Sequence, residues 1–168
     1  MSGNVGFGGN VGGAGGGDLA SEIPRGYIYK ANTSTVQSTT ISAADTDYSM
    51  NVTTTFDSGN SNLFSSPSSG VLQYDGTRSF RALVIANPQL YVPSTTVYCK
   101  VYQNDSEVNG YQTNFGYRSN GYQGVPICTP IEISNGDTID LYVGNTANTS
   151  NISLLGLDFY ILFLGWTD

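Results

Sequence analysis

Histidine is missing from all 168 residues. Its absence removes Ser-His-Asp and Cys-His catalysis, imidazole metal sites and the commonest general base at neutral pH. Cysteine is scarce as well. Cys99 and Cys128 allow one disulfide at most and, with no histidine beside them, leave a structural zinc site short of ligands. Cys99 lies between Val97 and Val101 at strand spacing, where a small apolar side chain belongs, so a buried free thiol is the expectation. Charge is thin: 11% of the residues are Asp, Glu, Lys or Arg, against about 25% in ordinary domains. The six basic residues, Arg25, Lys30, Arg78, Arg81, Lys100 and Arg118, form no run in a chain of net charge −7, which argues against nucleic acid as a partner. No apolar run reaches the length of a membrane-spanning helix, and the N-terminus has neither the basic start nor the apolar core of a signal peptide. A soluble protein that is not classically secreted is expected, with no membrane partner.

Glycine, asparagine, serine, threonine and tyrosine take the place of the missing charge. Nine of the first seventeen residues are glycine, with Gly3-Asn4-Val5-Gly6 repeated as Gly9-Asn10-Val11-Gly12. Glycine loses the most backbone entropy on ordering, so this tract does not fold alone and needs a partner surface to hold it. Residues 1–24 are read as an arm whose apolar contacts are Val5, Phe7, Val11, Leu19 and Ile23. Its glycines permit close backbone approach along a groove or sheet edge, and a flexible tether is the competing use. It has no phosphate-binding Gly-x-x-x-x-Gly-Lys pattern and no basic residue before Arg25.

Residues 25–168 form one domain. Apolar residues alternate at period two, turn residues recur every eight to fifteen positions, and no stretch has helical 3,4 spacing with caps. The class is all-β, and the spacing predicts strands at 26–31, 36–42, 48–56, 71–74, 80–86, 96–103, 123–133, 138–144 and 152–164. Asp75-Gly76, Asn109-Gly110, Asn120-Gly121 and Asn135-Gly136 are the expected tight turns. Residues 105–124, rich in Asn, Gly and Tyr, read as a surface loop carrying Tyr111, Phe115, Tyr117 and Tyr122. The last run, 152–164, is apolar on both faces. That pattern fits a central strand with core on one side and a second subunit on the other, or a strand covered by the chain's own loops.

Carboxylates are the acid-base chemistry that remains. Asp45 with Asp47, Asp105 with Glu107 and Asp137 with Asp140 are spaced closely enough for a dyad or a calcium site. Asp45, Asp105 and Asp137 each adjoin a predicted turn, where Asp is favoured for its backbone hydrogen bonds, and that reading is preferred. The expectation is a non-enzyme with no cofactor and no metal. Five Asn-x-Ser/Thr sequons, at Asn32, Asn51, Asn104, Asn148 and Asn151, are what a chain this rich in Asn, Ser and Thr produces by chance.

Tyr74-x-Gly76, Tyr102-Gln103-Asn104, Gly136-Asp137 and the apolar last run, in this order, resemble the tumour-necrosis-factor and complement-globular-head superfold. The likeness is to the versions found in viral and bacteriophage particles and spans roughly residues 44–165. It implies a single antiparallel jelly-roll β-sandwich that assembles as a threefold trimer, with the last strand near the axis. Leu155, Leu157, Phe159, Ile161 and Phe163 would then be the interface side chains. The function implied is a virion structural protein on the capsid surface: a decoration, cement or fibre-base trimer anchored by its arm to the major capsid protein or a neighbouring virion protein. The alternative is a receptor- or glycan-binding head that uses Tyr111, Phe115, Tyr117 and Tyr122.

Overall fold

From Arg25 onward the backbone is extended wherever apolar and polar residues alternate, because each strand has one face to bury. A computed structural model describes residues 23–32, 35–91, 96–116, 121–124 and 126–167, with backbone alone at 109–111 and 115. Among these the strands are β1 (Arg25–Lys30), β2 (Gln37–Thr39), β3 (Tyr48–Ser49), β4 (Thr55–Phe56), β5 (Phe64–Ser65), β6 (Leu72–Tyr74) and β7 (Phe80–Tyr91). They continue with β8 (Val97–Gln103), β9 (Ser106–Phe115), β10 (Tyr122–Gly124), β11 (Ile127–Ile133), β12 (Thr138–Asn145) and β13 (Ile152–Trp166). All of their pairings are antiparallel. A seven-stranded sheet runs β10-β7-β13-β1-β4, with β11 also on β7 and β2 also on β13. A six-stranded sheet runs β5-β6-β12-β8-β9, with β3 also on β12.

The sheets pack face to face as a jelly-roll sandwich. Ile28, Phe80, Val84, Phe159 and Ile161 of the first sheet and Leu72, Tyr74, Val101, Ile139 and Val143 of the second are sealed from solvent. Each such side chain contributes roughly 1.5–3 kcal/mol on burial, so the core holds the fold without a covalent staple. Both cysteines are free: Cys99 lies in this core, where burial raises its thiol pKa, while Cys128 is exposed on β11.

Several expected elements differ. The expected loop over 105–124 is largely strand: β9 pairs with β8 from Gln103↔Ser106 to Val97↔Phe115, and β10 pairs with the end of β7. Asn109-Gly110 therefore lies inside β9. The β8–β9 hairpin turns instead at Asn104 and Asp105, both with positive φ (52° and 59°), the geometry of a two-residue primed turn. Gly136 has the positive φ expected of it, whereas Gly76 does not. At Gly76 the constraint is steric, since a Cβ there would overlap the Tyr74 ring. The strand expected over 48–56 is two short pieces, β3 and β4, in different sheets. Expected strand 80–86 runs on through Pro88 to Tyr91.

Register gives the molecule two ends. Arg25 pairs with Leu162 and Phe80 with Trp166, so β1 starts, β7 starts and β13 finishes at one end, the base. Ser153 pairs with Tyr91, and Tyr91 with Tyr122, at the opposite end, the apex. The chain N-terminal to Ile23 therefore leaves from the base, with β10 at the apex.

Candidate functional site

The seven-stranded sheet turns its second face outward, and the register fixes what that face carries. One row across β1, β13, β7 and β11 reads Arg25, Leu162, Leu83 and Pro130. The next reads Tyr27, Tyr160, Ile85 and Cys128, and a third reads Tyr29, Asp158 and Asn87. Leu164 follows Leu162 on this face, just before a bulge between Phe163 and Gly165 turns Trp166 back toward Phe80. Leu162 is 42% and Leu164 59% exposed. At a strand spacing of ~4.8 Å and a rise of ~3.4 Å per residue, the eight apolar positions cover roughly 260 Å² of sheet. Apolar patches of a few hundred Å² occur on ordinary monomers and are often functional.

The patch is preorganised by aromatic packing. Tyr27 and Tyr160 stack at 4.1 Å with an interplanar angle of 4°, and Tyr29 lies 5.5 Å from Tyr27. The Tyr27 hydroxyl donates to Asp158 Oδ1 at 2.9 Å. Burial first, and then the neighbouring Tyr160 and Asp158, raise the Tyr27 pKa. Tyr27 is thus a neutral donor at any physiological pH.

The interface residues expected from sequence are placed differently. Leu157, Phe159 and Ile161 are 3%, 0% and 0% exposed inside the subunit's own core, out of reach of a second copy. Phe163 is half-buried 5.7 Å from Phe80 and 4.9 Å from Trp166, and Leu155 is half-buried beside a bulge at Leu154/Gly156. The outward face of β13 carries Tyr160, Leu162 and Leu164 instead. A run apolar on both sides gives no parity signal, and its two bulges shift phase, so the sequence could not choose between the faces. The tyrosine row was missed too; Tyr27 and Tyr29 at i, i+2 in the first strand were its signal.

Other expected residues scatter. Val5, Phe7, Val11, Leu19 and Tyr117 lie outside the described residues, as do the side chains of Tyr111 and Phe115. Ile23 is 45% exposed at the base, its carbonyl accepting from Asn62 Nδ2 at 3.1 Å. Tyr122 is 36% exposed at the apex and packs 5.8 Å from Tyr91.

The carboxylates do not assemble as the spaced pairs. Asp137 accepts from Ser134 N, Gln103 Nε2 and Asn104 Nδ2, all at 2.7 Å, and so serves as a turn residue. Asp47 and Glu107 instead grip Lys100, at 3.0 and 2.9 Å, on the outer face of the six-stranded sheet. Tyr102 also donates to Asp47. Burial acts to raise the Asp47 pKa, but the Tyr102 and Lys100 bonds outweigh it and hold the carboxyl low. Lys100 is pulled down by burial and raised further by Glu107 and Asp47, so both partners stay charged. This ion cluster ties the chain before β3 to β8 and β9. Asp140, on the same face, has its pKa pushed up to about 6 by burial and then by Asp105, against a weak bond from Ser49.

No family model matches the sequence, and no curated protein matches it either. The solved structures share its shape. The Eiger TNF of S. frugiperda superposes with a TM-score of 0.56 at 9% identity, covering 87% of this chain and 96% of that one. The vertex protein P5 of phage PRD1 gives 0.54 at 11% identity, over 84% and 97%. Murine APRIL gives 0.54 at 10% identity, over 82% and 98%. At such identities the likeness concerns the fold. With two antiparallel sheets in this order and a near-complete match to each of these chains, the protein is a tumour-necrosis-factor-like jelly roll, the architecture that also builds a bacteriophage vertex protein.

Proposed function

We propose that the protein is a non-enzymatic virion structural protein, a homotrimer on the capsid surface held there by its N-terminal arms. The observation that carries the reading is the outward face of the seven-stranded sheet. Tyr27, Tyr160, Ile85, Leu83, Leu162 and Leu164 form one apolar surface that a lone subunit leaves in water and that a neighbouring copy would cover through a heterologous ring contact. The family resemblance implies threefold closure. The two ends support the arrangement: the arms leave from the base, so a trimer presents three of them on one side. Three weak contacts through one body give high avidity, which suits a short glycine-rich peptide. Its capsid partner is the major capsid protein or a neighbouring virion protein, and its role is decoration, cement or fibre base.

Thiol labelling tests the assembly. Cys128 is exposed on the subunit and sits in the tyrosine row, whereas Cys99 is buried. The native protein is expected to react slowly at both thiols with an aromatic disulfide reagent and promptly at both in denaturant. One prompt thiol in native buffer would mean that the face is open. For the anchor, a chain starting at residue 23 is expected to keep its native mass and lose binding to particles stripped of the protein. Retained binding would contradict the arm's role.

The second reading, a receptor- or glycan-binding head, draws on Tyr91 and Tyr122, 37% and 36% exposed side by side at the apex, opposite the arms. Exposed aromatic pairs anchor ligands well. Loss of cell or glycan binding by Tyr122→Ala, with particle attachment unchanged, would favour it.

A further inference from the structure

The base of the sandwich has an open strand edge beside a cleft. β13 pairs with β1 only as far as Arg25↔Leu162, yet it continues to Trp166 with described partners on β7 alone. Among the described residues, Phe163–Trp166 therefore has no strand on its β1 side. Next to this edge lies a cleft of about 360 Å³ walled by Leu63, Tyr74, Asp75, Gly76, Arg78 and Trp166. Trp166 is half-buried there, turned against Phe80 and Phe163 after the bulge, with the Arg78 guanidinium 4.2 Å from its ring. Leu63 holds the opposite wall at φ 59°, a left-handed conformation that a bulky residue adopts only under constraint. Its carbonyl is fixed by the Asp75 N–H at 2.9 Å, and the preceding Asn62 exchanges backbone bonds with Arg25. Strain of this kind gathers at ligand clamps.

We propose that this edge and cleft receive the root of the chain's own arm, residues 18–22, with Leu19 seated beside Trp166. Reach and composition single out this occupant. The last described residue, Ile23, stands at the base, and four extended residues from it span at most ~14 Å. The β1–β13 ladder stops at Arg25, just after Pro24, which has no N–H to donate, so pairing with the end of the edge falls to the residues before Ile23. Leu19 is the one large apolar side chain between Val11 and Ile23. An added strand supplies backbone bonds to the edge, and a single pocketed side chain supplies the fit. Residues 1–17 then remain as the tether, with a root-mean-square reach of about 20–25 Å for so glycine-rich a segment. Only this last consequence rests on the anchoring role; the docking does not.

Trp166 is the only tryptophan in the chain, so its emission reports on the cleft directly. The full-length protein, a chain starting at residue 23, Leu19→Asp and Leu19→Met are to be compared at equal native mass. Expected are blue-shifted emission and weak acrylamide quenching in the full-length protein and Leu19→Met. Red-shifted, readily quenched emission is expected in the truncated chain and in Leu19→Asp. Amide exchange over 163–166 should be about tenfold or more slower with the arm present, as for a strand gained at an edge. Identical emission, quenching and exchange in all four proteins would overturn the proposal. So would protection of the truncated chain's Trp166 by neighbouring copies alone, or protection that survives Leu19→Asp. Loss of particle binding without any change at Trp166 would also overturn the docking while leaving the anchoring role standing.

Discussion

Asp140 shows how one residue sets a pH dependence. Its folded pKa of about 6 lies above the ordinary 3.8 because burial disfavours the charged form. The folded state therefore holds this proton more tightly than the unfolded chain does. Stability from it is complete below pH 3.8, falls as pH rises toward 6, and is gone above that. At pH 7.5 the ionised carboxylate is a burden, and Asp140→Asn is expected to stabilise the subunit by on the order of 1–2 kcal/mol. At pH 3.5 the substitution should be neutral. Urea unfolding at both pH values measures this, and equal effects at the two would refute it. Asp47 has the opposite sign: its lowered pKa gives stability that is present at neutral pH and lost as the carboxyl is protonated.

At the scale of the element, β13 decides which residues are core and which lie on the apolar outer face. Ile161 is fully buried, whereas Leu162 is 42% exposed on the apolar face. Ile161→Ala should destabilise the subunit by about 2–5 kcal/mol through the cavity it leaves. Leu162→Arg should leave subunit unfolding little changed and dissociate the assembly. Denaturation and native mass separate the two, and an intact trimer in Leu162→Arg would remove the interface from this face. The existence and length of β13 were legible in sequence, because thirteen consecutive mainly apolar residues must be central. Its facing was not, since bulges at Leu154/Gly156 and Phe163/Gly165 reset the parity. β9 was illegible for another reason. Half of its sequence, Ser106–Phe115, is Gln, Asn, Thr and Gly, and it becomes a strand by pairing with β8. Pro88 hid the second half of β7, and Asn104-Asp105 turned the chain without the glycine that marks such turns. Of the candidate site, Tyr27 and Tyr29 share a face by their i, i+2 spacing, but Tyr160 joins them only once β1 and β13 are paired, which no local pattern records.

For the whole molecule, the central claim is that the apolar face of the seven-stranded sheet is covered by other copies of the same chain. The two ends of the sandwich would give such an assembly a direction, with Ile23 at the base and the Tyr91–Tyr122 pair at the apex. The most direct test is sedimentation equilibrium of the full-length chain in reducing buffer, run together with Leu162→Arg. The wild-type chain of 17.8 kDa is predicted to sediment at three times that mass, about 53 kDa, and the variant at the mass of a single chain. A wild-type monomer at micromolar concentration, or a trimer that Leu162→Arg leaves whole, would contradict it.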